Sequence, residues 1–149
     1  MGIASLVAAK KVRAAWTTMS RSHIDTDALL KDWADDAVWD GTSELSVGQT
    51  IKGKKAIADW FQRWEQEFPQ RKLVEKNVCM KGTALPSRNN VLMVDWTCTE
   101  TDKQGREYTY DGVTALHMQD MKIVKVTEYL SFAGLPQLSS LIQPSRTTE

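Results

Sequence analysis

Two acidic residues in the C-terminal half stand where a carboxylate is costly. Asp95 lies within 91–99 and Glu128 within 122–130, and each has apolar neighbours at alternate positions. A strand turns successive side chains to opposite faces, so Val91, Met93, Asp95, Thr97 and Thr99 share one face, and Leu92, Val94, Trp96 and Cys98 the other. Val124, Val126, Glu128 and Leu130 likewise share a face. A carboxylate on such a face must be wet, paired or functional, because unpartnered burial of charge is unfavourable. If both acids enter one apolar pocket, repulsion and desolvation push one pKa up and leave the other lower. One neutral acid beside one ionised base can move a proton between two carbons, or add and remove water. The alternative is that the acids are solvated, or are satisfied by Tyr110, Thr114 or a backbone donor. No Lys or Arg stands among these face residues, and Arg13 and Lys10 on the first helix are the cations expected to be able to reach the acids.

Around this pair, Tyr110 and Thr114 share parity and are expected to face inward and orient a substrate. Trp16, Trp39, Leu116, Leu130 and Met93 would form the walls, and an aromatic pocket with few polar groups suits an apolar, ring-bearing ligand. His117 is expected on the convex face with Val113 and Ala115, and His23 in the break after the first helix. The two histidines have no metal-ligand spacing, and no metal or organic cofactor is expected. Asp40, one residue before Gly41, should point away from the pocket unless a bulge turns it inward. Leu92, Val94, Trp96, Val113, Ala115 and Tyr129 make an apolar convex face, which predicts a homodimer through the sheets.

The elements that must position these residues are legible in the periodicity. Leu6, Val12, Trp16 and Met19 recur at helical spacing over 3–20. Asp25 or Thr26 can cap a second helix carrying Leu29, Leu30 and Trp33. A short strand at 37–40 and a partner within 44–51 follow. Gly53 precedes a third helix over 54–68, with Ile57, Trp60, Phe61, Trp64 and Phe68 on one stripe. After Pro69 the period becomes two. Strands are expected at 72–81, 91–101, 107–118 and 122–131, joined by turns at 85–90, 102–105 and 119–121. The order α-α-β-β-α-β-β-β-β describes an α+β cone, a curved antiparallel sheet wrapped by three helices from the N-terminal half. One domain spans 1–149, with an ordered core over about 5–135 and a flexible tail beyond Phe132.

Composition narrows the function classes. Nineteen basic residues balance nineteen acidic ones, so no global charge favours nucleic acid or an anionic membrane. No apolar run is long enough to span a bilayer, and the start lacks the charge order of a signal peptide, so a cytoplasmic location is expected. Cys79 and Cys98 are too few for a disulfide framework and are expected as buried strand thiols.

The words TrpAlaAspAspAlaValTrp at 33–39, IleLysGlyLysLysAlaIle at 51–57 and IleValLysValThrGluTyrLeu at 123–130 resemble the NTF2-like superfamily, a cystatin-like roll, in its SnoaL-like and ketosteroid-isomerase-like branch. The resemblance spans about 5–132 and implies the cone. The fold hosts many chemistries, so it implies no single activity. The steroid-isomerase base falls at Gly41, its oxyanion aspartate near Thr114 and its tyrosine near Ala15 or Trp16, so all three positions depart from that pattern. A partial resemblance to limonene-epoxide hydrolase places one catalytic acid at Asp95 and the other at Glu128. Met93 stands where that branch has Arg, and Trp39 and Gly41 stand where it holds water.

The combined reading is a cofactor-independent isomerase, dehydratase, cyclase or epoxide hydrolase for a small apolar metabolite, with Asp95 and Glu128 as acid and base. The alternatives are a non-catalytic ligand-binding or dimerisation module of the same fold, and a transport-type adaptor for partner proteins.

Overall fold

A computed structural model describes residues 3–41, 50–82 and 89–131. The elements are α1 (Ile3–Met19), α2 (Thr26–Leu30), β1 (Trp33–Gly41), β2 (Thr50–Lys52), α3 (Lys54–Glu67), β3 (Gln70–Lys81), β4 (Asn90–Thr101), β5 (Glu107–Gln119) and β6 (Lys122–Ser131). This is the α+β order read from the periodicity. The expected partner strand is described only over its last residues, and the tail beyond Phe132 lies outside the described residues, as does most of the turn at 85–90.

The six strands run β2-β1-β6-β5-β4-β3. All neighbours are antiparallel except β1 and β6, which are parallel, so the sheet is mixed rather than wholly antiparallel. The long β3-β4-β5-β6 meander forms the body. β1 is joined to it by a long connection through β2 and α3, which lets β1 and β6 run in the same direction.

Helix placement follows from local signals. Asp25 caps α2, its carboxylate accepting the Ala28 N–H at 2.9 Å. Gly53 opens α3 at φ +92°, a conformation that side chains resist, and its N–H donates to the Ala37 carbonyl at 2.8 Å. The glycine thereby ties the start of α3 to β1. The apolar stripe of α3 buries Ile57, Phe61 and Trp64, and the helix lies against β1 while α1 lies against β3.

A buried arginine locks the far side. Arg71 of β3 is 5% exposed and sits 5.3 Å from the Trp64 ring centroid. Its Nε donates to the Met19 carbonyl at 3.0 Å, and its other nitrogens donate to the carbonyls of Phe68, Glu65 and Arg21. One side chain so satisfies the carbonyls that the ends of α1 and α3 leave open. The β4–β5 turn is held by Asp102, whose Oδ1 accepts the N–H groups of Gln104 and Arg106 at 2.9 Å each. Its Oδ2 accepts Arg106 Nε at 2.7 Å. Burial pushes the Asp102 pKa up, but these hydrogen bonds outweigh it and the net shift is downward.

Candidate active site

The helices and the inner face of the sheet enclose a cavity of about 800 Å³. Val12, Trp16 and Met19 of α1 close one side, and Trp60, Phe61 and Trp64 of α3 another. The inner strand faces supply Trp39, Leu92, Trp96, Tyr110, Thr114, Leu116, Val126, Glu128 and Leu130. Trp39 is the hub of the aromatic wall, with ring centroids 6.0 Å from Trp33, 5.3 Å from Trp60 and 5.3 Å from Phe61. Trp60 continues the stack to Trp64 at 5.8 Å. Aromatic contacts of this kind add about 0.5–1.5 kcal/mol each beyond burial, so the wall is stiff as well as apolar.

Glu128 stands in this wall. It pairs across the sheet with Thr114, which pairs in turn with Val94. Trp96 Nε1 donates to Thr114 Oγ1 at 2.8 Å, and Thr114 Oγ1 donates to Glu128 Oε1 at 3.4 Å. The indole of Trp39 also hydrogen-bonds the carboxyl. Desolvation raises the Glu128 pKa; the bonds from Thr114 and Trp39 pull against it, the charge of Glu100 adds to it, and the balance is a pKa of about 7. Trp96 can occupy its place because residue 112 is glycine. A Cβ there would lie 2.3 Å from the Trp96 ring.

Glu100 is a further acid of the cavity wall that sequence reasoning missed. It is 1% exposed, lines the cavity and accepts Trp64 Nε1 on Oε2 at 2.8 Å. The Cys98 thiol lies 3.8 Å from the same oxygen, and the Tyr110 hydroxyl also bonds the carboxyl. Burial is the dominant influence and carries its pKa to about 7. Burial likewise pushes the Cys98 thiol and the Tyr110 hydroxyl upward, so both keep their protons. The signal for Glu100 was present: it ends the alternating run Leu92, Val94, Trp96, Cys98, and Trp96 marks that run as the inner face.

The structure separates the two expected partners. Asp95 and Met93 lie on the outer face of β4, away from the cavity, and this corrects both assignments. Asp95 accepts Asn77 Nδ2 at 3.1 Å and pairs with Lys76 at 3.1 Å, and those two bonds hold its pKa below the usual carboxylate range. Met93 is 47% exposed. The alternation in β4 was read in the right register but with the faces exchanged. The larger apolar set, Leu92, Val94 and Trp96, is buried inside. It therefore does not belong to the convex surface. Val74, Met93 and Tyr129 are the large apolar side chains exposed there, at 44%, 47% and 52%.

Of the other expected wall and orienting residues, Trp16, Trp39, Tyr110, Thr114, Leu116 and Leu130 all line the cavity. Asp40 faces outward and pairs with Lys125 at 3.3 Å; the register shift of β1 against β6 lies before it, between Trp33 and Val38. His23 is exposed and hydrogen-bonded to Glu65 at 3.1 Å, and His117 lies outside the main cavity. Cys98 is buried as expected, whereas Cys79 is exposed, because it falls on the outer parity of β3. Among the described residues no group of three or more His, Cys, Asp or Glu could hold a metal ion, and no helix is long and apolar enough to cross a membrane.

Residues 11–126 match the SnoaL-like domain. None of the curated proteins matches the sequence. Solved structures match closely in shape. An NTF2-like protein of unknown function from Burkholderia pseudomallei K96243 superposes with TM-score 0.70 at 17% identity, covering 88% of this chain and 95% of the other. A protein with a ketosteroid isomerase-like fold from Catenulispora acidiphila DSM 44928, in complex with trimethylamine, gives 0.69 at 15%, covering 88% and 92%. TerC co-crystallised with polyporic acid gives 0.69 at 16%, covering 88% and 96%. At these identities the likeness concerns the fold.

Proposed function

The chain belongs to the SnoaL-like domain family, and on that premise we propose that its cavity binds an apolar, ring-bearing small molecule and that Glu128 transfers a proton on it. The observation that carries this reading is a carboxyl of pKa about 7 set into an aromatic wall. A general base and a general acid both work best when their pKa lies near the working pH. Glu128 meets that condition for either direction of transfer.

The steps follow from the surroundings. An ionised Glu128 takes a proton from a carbon next to a carbonyl, and the electron pair moves onto the carbonyl oxygen. Tyr110, protonated and on the inner face, can turn its O–H from the Glu100 carboxyl to that oxygen. The protonated Glu128 then returns the proton to a second carbon, or to a leaving hydroxyl. Trp96 and Thr114 fix the carboxyl in place throughout, so little reorganisation accompanies the transfer. This chemistry uses one carboxylate and so does not need Asp95. Epoxide hydrolysis by two acids bridged by arginine has less support, since Asp95 and Met93 lie outside.

The test is exchange of α-protons with heavy water, followed by proton NMR on apolar cyclic ketones (alpha-tetralone, beta-tetralone, cyclohexenone). Wild-type protein should accelerate exchange on at least one, and Glu128→Gln should return it to the buffer rate while still binding the ketone. Equal rates for both proteins would make the cavity a binding site without catalysis. We also infer a homodimer through the outer sheet face, supported by the exposed Val74, Met93 and Tyr129.

A further inference from the structure

Glu100 has no part in the proton transfer, yet it is the most deeply buried acid in the molecule's described part, at 1% exposure. Its two oxygens differ. Oε2 takes the Trp64 indole N–H at 2.8 Å and faces the Cys98 thiol at 3.8 Å. The Tyr110 hydroxyl also bonds the carboxyl, but Oε1 is buried with no group in hydrogen-bond geometry on it. A buried carboxylate oxygen left unmatched is expensive, and native structures rarely keep one without a use. The residue belongs to the cavity lining, so the missing partner can come from whatever fills the cavity.

We propose that Glu100 forms a second polar subsite of the cavity, which receives a hydroxyl group of the ligand on Oε1. A hydroxyl is chosen over other donors because it both donates and accepts. It can donate to the ionised carboxylate and accept from the protonated acid, and Glu100 titrates at about pH 7. An ether, a halogen or a bare ring edge would leave the oxygen unmatched.

The register sets the spacing. Glu100 stands opposite Tyr108 on β5, and Glu128 opposite Thr114. Those positions are six residues apart on β5, which is about 20 Å along a strand. The side chains are nevertheless near enough for Glu128 to feel the charge of Glu100. The register makes the two acids separate contacts along one ligand. The ligand is an elongated scaffold of two or more rings, with an alcohol or phenol at the end remote from the reacting carbon. This deepens the proposed function and rests on the same cavity, but its test does not require turnover.

The probes are para-hydroxybiphenyl and its methyl ether, para-methoxybiphenyl, with affinities read from quenching of the cavity tryptophans at about pH 8. Wild-type protein should prefer the hydroxyl compound by about tenfold or more, the range of one hydrogen bond to a charged group. Glu100→Met should erase that preference while the ether binds at least as tightly as to wild type, which also shows the cavity intact. Glu100→Gln, which keeps the shape but not the charge, should narrow the preference several-fold and serves if the methionine variant does not fold. Glu128→Gln should keep the full preference, so a failed exchange assay and a failed subsite are told apart. Equal binding of the two probes by wild type, or a preference that survives in the Glu100 variants, overturns the proposal.

Discussion

Glu100 makes a prediction about stability that can be worked through. Its pKa in the fold is about 7 against an ordinary value of 4.5. The folded state therefore holds its proton over a range in which the unfolded chain has lost it. The sign follows from linkage: where the native state binds more protons than the unfolded state, stability falls as pH rises. The protonated carboxyl contributes fully below pH 4.5, and the contribution is lost as pH climbs through about 7. A shift of this size corresponds to about 3 kcal/mol between acidic and mildly alkaline pH. That is a large part of a typical domain's total stability. Glu100→Gln removes the ionisation; its amide oxygen can still accept from Trp64, and its NH2 replaces the unpartnered oxygen. Urea denaturation of both proteins from about pH 4 to about pH 8 should show the variant's relative stability rising by about 3 kcal/mol, mostly between pH 5 and 7. The carboxylates with lowered values, such as Asp95, Asp111 and Glu75, titrate below this window and cancel in the difference. A difference that does not change with pH, or that changes in the opposite sense, refutes the reasoning.

Other expectations follow from the same contacts. Gly112→Ala would place a Cβ 2.3 Å from the Trp96 ring; it should shift Trp96 off Thr114, cost about 1–3 kcal/mol by overpacking in thermal or urea melts, and slow proton exchange. Thr114→Val removes a bond that lowers the Glu128 pKa, so the pH midpoint of exchange should move upward, and an unchanged midpoint would count against the network. Asp95→Asn should leave ketone exchange intact, because its carboxylate lies with Lys76 and Asn77 on the outer face. Tyr129→Lys with Met93→Lys should convert a dimer to a monomer in light scattering, and a wild-type monomer would remove the dimer proposal.

Much of the fold could be read from spacing. The stripe of α3, the glycine before it and the change of period after Pro69 each correspond to a described element. The parallel pairing of β1 with β6 could not be read, since it depends on the route of the chain rather than on any local pattern. The site was legible in part. Parity placed Tyr110, Thr114 and Glu128 on inner faces, but parity alone does not say which side of a strand is inside. In β4 the weight of Trp96 with Leu92 and Val94 decided it, and that exchange of faces put Asp95 outside and hid Glu100. Three carboxylates line the cavity, those of Asp32, Glu100 and Glu128, and Glu100 lies five residues beyond Asp95 on the same strand. The bulge in β3 between Glu75 and Asn77, which brings Lys76 to Asp95, leaves no mark in the alternation of β4.

The most direct test of the central claim is a carbon NMR titration of the Glu128 side-chain carboxyl, assigned by comparison with Glu128→Gln. The account predicts a midpoint near pH 7, displaced when a cyclic ketone is bound. A midpoint in the ordinary carboxylate range, unmoved by any ketone that binds, would contradict it.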